Sequence, residues 1–123
     1  MDKFDRALPI TNANEAVVDR SVLAAISKGK GTIEREFIAL FRRVNDEDVA
    51  MLHKAVRDGD AAGALHASHR MSGASRMIGA VRLAAVCERL ETASRADDLT
   101  VVKDNMFKLQ REVERVYAFL DSM

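Results

Sequence analysis

The chain has 123 residues, one domain's worth, enough to bury a single modest core but not two. Hydrophobic residues make up 48 % and charged residues 31 %, a balance that excludes a disordered chain. Nineteen basic residues against 19 acidic ones give zero formal net charge, which excludes a general nucleic-acid or anionic-membrane binder and leaves room only for a local basic patch.

One proline, six glycines and long segments rich in Ala, Leu, Arg, Glu, Met and Val predict an all-α protein. Cys87 is the single cysteine, so neither an intramolecular disulfide nor a thiolate metal cluster is expected, and a reducing cytoplasm fits. No apolar run approaches the roughly 20 residues that span a bilayer, so no direct membrane contact is expected. Met1 to Leu8 carries four charges and no apolar core, unlike a secretory leader.

Residues 1–18 are weakly periodic and hold Pro9; they are expected to be a tail or linker ahead of one domain over 19–123. Asp19 is a candidate N-cap for a short helix from Arg20 to Ser27, with Val22, Leu23 and Ile26 on one side. Lys28-Gly29-Lys30-Gly31 ends it. Thr32 is expected to start a long helix reaching about Arg57. Its stripe of Ile33, Phe37, Leu40 and Val44, widened by Ile38 and Phe41, is expected to face the bundle. The stripe resumes at Val49, Leu52 and Val56 after a slip of phase at Asn45 to Asp48, either a stutter in one long helix or a break between two, of which the single helix is expected.

Arg57-Asp58-Gly59-Asp60 is a stop and restart, with Gly59 left-handed and Asp60 capping the next helix. That third helix is expected over Ala61 to about Ile78, and Gly79 allows a tight turn. A fourth, from Ala80 to about Arg95, turns Leu83, Val86, Cys87 and Leu90 inward. Asp97-Asp98 opens a fifth, with Val102, Met106, Leu109, Val113, Val116 and Leu120 as its stripe. Lengths and connections predict an antiparallel four-helix bundle with a short N-terminal cap helix.

The third helix carries the functional signal. One strip is small and apolar: Ala64, Ser68, Met71, Ser75 and Ile78. The opposite strip holds His66, His69, Arg70, Gly73 and Arg76. A glycine inside a helix costs about 1 kcal/mol relative to alanine. One turn after an exposed imidazole, it either lets something approach or lets two helices pack closely.

The run His69-Arg70-Met71-Ser72-Gly73-Ala74-Ser75, followed by Gly79-Ala80, Leu83, Cys87 and Leu90-Glu91, resembles the histidine-containing phosphotransfer domain. That family's pattern is roughly His-x-Leu-Lys-Gly-x-Ser, then Gly-Ala, then a Leu, Cys and Leu-Glu ladder. The resemblance covers about residues 19–123 and is close to the C-terminal modules of bacterial hybrid sensor kinases. It departs at Ser72, where the family has lysine, and at Ser68, where it has alanine. Arg70, Arg76, His66 or the partner itself are the candidates to replace the lysine's charge.

The resemblance implies a phosphorelay intermediate. His69 would accept a phosphoryl group from a receiver-domain aspartyl phosphate and pass it to a response-regulator receiver. The domain would be no enzyme, with no cofactor of its own, because the receiver brings the carboxylates and magnesium. Receivers of a hybrid sensor kinase or response regulator are the expected partners. The protein is expected to be a cytoplasmic monomer, free-standing or the end module of a membrane-anchored kinase.

The residues agree in part. A free imidazole titrates near ~6.5, so much of it is neutral and nucleophilic at cellular pH. Phosphoryl transfer asks the host for positioning and charge more than for covalent machinery. His66, Arg70, Ser72, Gly73 and Arg76 are the expected phosphoryl- or partner-binding residues, although Ser72 fits better bonded back to its own helix. His66 and His69 as a metal pair lack a third ligand, so no metal is expected. A helical interaction module that binds a receiver without carrying phosphate is the alternative. No phosphate loop, nucleotide motif or paired carboxylates suggest a conventional enzyme.

Overall fold

The structure, a computed structural model, describes residues 16–123. The expected tail over 1–18 lies outside the described residues except for its last three, of which Val18 is buried in the core. Six helices follow: α1 Arg20–Ser27, α2 Gly31–Arg57, α3 Ala61–Met77, α4 Val81–Arg95, α5 Leu99–Asp104 and α6 Met106–Asp121. The described residues are otherwise turns and short connections, without a strand.

The punctuation is chemical. Asp19 caps α1, and hydrogen bonds from the Ser21 hydroxyl and N–H hold its carboxyl below the usual range. Asp60 accepts from the Gly63 N–H at 2.9 Å, and Asp98 from the Val101 N–H at 3.2 Å. Each such cap contributes about 1 kcal/mol. Gly59 and Gly79 take left-handed φ of 69° and 79° where α2 and α3 end. The second helix starts at Gly31, one residue earlier than expected; Lys30 is its N-cap and makes no side-chain cap bond.

The cap helix is seated by its N-cap residue. The Asp19 N–H donates to the Gly79 carbonyl at 2.8 Å, and a Cβ on Gly79 would come within 2.6 Å of the Asp19 carbonyl oxygen. The turn between α3 and α4 is therefore both left-handed and closely covered.

Two sequence expectations change. First, α2 has no stutter. Its buried line is Phe41, Asn45, Asp48, Leu52 and Ala55, a regular heptad-like stepping with two polar members. Polarity at those two positions hid the phase, and the stripe of Ile33, Phe37, Leu40 and Val44 lies to one side, with Leu40 47 % exposed. Second, the last helix is broken. Asn105 is buried and its Nδ2 donates to the Val101 carbonyl at 2.8 Å, ending α5. Asn105 takes the inward place expected of Met106, which is only half-buried.

α3 packs against both α2 and α4, and α6 closes over α4. Leu52, Leu83 and Leu90 are fully buried, each contributing about 1.5–3 kcal/mol. Buried Asn45 is met from α6 on one side of its amide: its Nδ2 donates to the Tyr117 hydroxyl at 3.0 Å, while that hydroxyl donates to Asp46 Oδ1 at 2.6 Å. Burial pushes the Tyr117 hydroxyl up to about 12 and the Cys87 thiol to about 12. Among the described residues, no helix is long and apolar enough to cross a membrane.

Candidate functional site

The helical period decides which side chains of α3 reach solvent. Ala64, Ser68, Met71, Ser75 and Ile78 are buried, as their spacing predicts. His66, His69, Arg70, Gly73 and Arg76 all lie on the exposed face. Ser72 does not share that surface: it is only 6 % exposed and sits on the packed side of α3.

The His69 side chain is 73 % exposed, yet one edge of it is held. Its Nδ1 lies 2.8 Å from Glu91 Oε1 on α4. The Glu91 carboxylate also accepts from Arg95 Nη2 at 3.2 Å, and its side chain is 13 % exposed. An ionised carboxylate can only accept, so Nδ1 carries the proton. Nε2 then holds the ring's lone pair, on the edge away from Glu91. The arrangement fixes the orientation of the ring and turns Nε2 away from Glu91.

Gly73 answers the question the sequence left open. A Cβ built there meets nothing within 4 Å. Close helix packing therefore does not explain it, and the space one turn beyond His69 is clear.

The flanking arginines are engaged. Arg70 Nε pairs with Asp48 Oδ1 at 3.2 Å, across the α2–α3 interface. Arg76 pairs with Glu88 of α4. Burial pushes the Asp48 carboxyl above the usual range, with the Arg70 guanidinium pulling the other way. His66 is exposed one turn before Arg70. The site's positive charge is thus tethered to carboxylates rather than loose on the surface.

Beside this face runs an open apolar groove. Phe37, Leu40 and Val44 of α2 line one wall, and Ala74, Met77 and Ile78 the other. Leu40 and Met77 are 47 % and 58 % exposed. Ala74 begins the groove five residues along α3 from His69, roughly 7–8 Å at helical rise. Among the described residues, no group of three His, Cys, Asp or Glu side chains is placed to hold a metal ion.

Sequence reasoning noticed Glu91 as part of a ladder but not as the partner of His69, and it gave Asp48 no role. Glu91 is 22 residues from His69 and joins it only once α3 and α4 pack. The one signal for Asp48 was a polar residue where the apolar phase faltered.

A family model described as the Hpt domain matches residues 36–119. The structure is similar to the crystal structure of histidine-containing phosphotransfer protein B (HptB) from Pseudomonas aeruginosa PAO1, with a TM-score of 0.81 and 27 % sequence identity over 90 % of this chain and 95 % of that one. Among curated proteins no sequence matches.

Proposed function

The chain belongs to the Hpt family of phosphotransfer carriers in two-component phosphorelays, and from that premise we propose that His69 is the phosphoacceptor, loaded by one receiver domain and unloaded by another. The observation that carries the proposal is the bond between His69 Nδ1 and Glu91, at 2.8 Å, on a ring otherwise open to solvent.

The chemistry follows from that bond. The Nε2 lone pair attacks the phosphorus of a receiver's aspartyl phosphate. The Nε2–P bond forms as the P–O bond breaks, and that bonding pair leaves with the aspartate carboxylate. The Nδ1 proton stays where it is, so no base is needed. The ring becomes a phosphorylated imidazolium, and the Glu91 carboxylate stabilises its new charge. Transfer to a second receiver runs the same step backwards. Because the transition state is loose, the protein's contribution is orientation and charge. Magnesium and the acidic residues that bind it belong to the receiver in this reading.

The receiver docks on the exposed face of α3 and on the apolar groove beside it. Gly73 leaves the room its acidic pocket needs, and Leu40 and Met77 supply apolar contact. His66 and Arg76 lie on the rim of that surface, where charge steers encounter more than it holds the complex.

The test is label transfer from a receiver phosphorylated with acetyl phosphate. Wild type takes acid-labile, base-stable label, and His69→Gln takes none. Label on the variant excludes His69. Binding without label on either protein favours the interaction module that carries no phosphate.

A further inference from the structure

Asp48 is a carboxylate where a stable bundle would place a hydrocarbon. It lies on the inward line of α2 with Phe41, Leu52 and Ala55 and is 1 % exposed. Its ion-pair partner is Arg70 Nε, at 3.2 Å. An apolar side chain would continue the same line without a desolvated charge, so burial gives no reason to keep a carboxylate here.

The partner suggests the reason. Arg70 follows His69 directly, and its side chain is 45 % exposed. The ion pair at Nε draws the guanidinium toward α2 and leaves its outer edge, the two Nη groups, outside that pair. That edge is a fork suited to two oxygens of one phosphoryl group. Arg76 is committed to Glu88 on α4, and Ser72 is buried. Arg70 is thus the cation on this face whose inner edge is anchored in the core.

We propose that Asp48 is a positioning residue: it sets Arg70 so that the outer edge of the guanidinium meets the phosphoryl oxygens on His69. The proposal rests on His69 being the acceptor. Asp48 touches neither the phosphoryl group nor the receiver and acts only through Arg70. Arg70 forms no covalent bond; it balances charge while phosphorus moves between Nε2 and the receiver's carboxylate.

The test loads the full chain directly with phosphoramidate, then follows phosphoryl loss to a receiver domain at saturating and limiting receiver, with Tm measured in parallel. The variants are Asp48→Asn, Arg70→Ala, Arg70→Lys, the double Asp48→Asn/Arg70→Ala, and His69→Gln. Asp48→Asn and Arg70→Ala each slow the saturated rate about tenfold, and the double variant is no slower than Arg70→Ala alone. Arg70→Lys stays slow, because it keeps the charge and loses the fork. Asp48→Asn keeps or raises Tm while it slows transfer, which a merely structural residue does not do. Wild-type transfer in Asp48→Asn, further slowing in the double variant, or slowing that follows a lowered Tm each overturns the proposal. Label on His69→Gln overturns instead the acceptor assignment beneath it.

Discussion

His69 and Glu91 lie on neighbouring helices, 22 residues apart, with Nδ1 and Oε1 separated by 2.8 Å. The carboxylate does two things at once. In the proposed reaction it chooses which ring nitrogen is nucleophilic, and it waits beside the charge that phosphorylation would create. Glu91→Gln keeps an acceptor for Nδ1–H and loses only the charge, so phosphoryl transfer slows about tenfold, in line with ~1.5 kcal/mol for a charge-assisted bond. Glu91→Ala also frees the ring to rotate and slows it further. Equal rates in the two variants would show that orientation contributes nothing.

Gly73 is a cost to the helix that the fold does not require. Since an added Cβ meets nothing within 4 Å, Gly73→Ala should stabilise the protein by about 1 kcal/mol, read as a higher urea midpoint at unchanged slope. Gly73→Glu should fold as well and lose transfer, because a longer acidic side chain then stands where the receiver's acidic pocket must come.

Met77 tests the groove apart from the chemistry. It is 58 % exposed, so Met77→Glu should leave stability within about 0.5 kcal/mol. It should weaken receiver binding while leaving the rate at saturating receiver close to wild type. A lower saturated rate with unchanged affinity would place Met77 in the reaction rather than in docking.

Asp48 gives the stability curve a sign. Burial raises its carboxyl above the ordinary value of 3.8, so the folded chain holds its proton where the unfolded chain has lost it. Its contribution to stability is therefore full below 3.8 and declines as pH rises through the raised value. Asp48→Asn lacks that decline. Urea midpoints across pH should show the variant gaining on wild type from acid toward neutral pH; parallel curves would contradict the assignment.

The fold was legible where polarity and position agreed. Asp19, Asp60 and Asp98 announced three helix starts, and the alternation along α3 separated its packed residues from His69 and Gly73. It was not legible where a polar side chain had been recruited inward. Asn45 and Asp48 are buried because Tyr117 and Arg70 meet them from other helices, and no local pattern reports such partners. Asn105 broke the last helix for the same reason, by bonding to the backbone carbonyl of Val101 one turn earlier. The proposed acceptor, His69, was visible as an exposed residue with open space beside it. Its orienting carboxylate became visible only when α3 and α4 came together.

Which nitrogen of His69 is bare decides where phosphorus goes. NMR of the ¹⁵N-labelled protein, phosphorylated through a receiver, resolves the two ring nitrogens by their coupling to phosphorus. Phosphorus on Nε2, with Nδ1 still protonated, is the predicted result. Phosphorus on Nδ1, or on any residue other than His69, would contradict it.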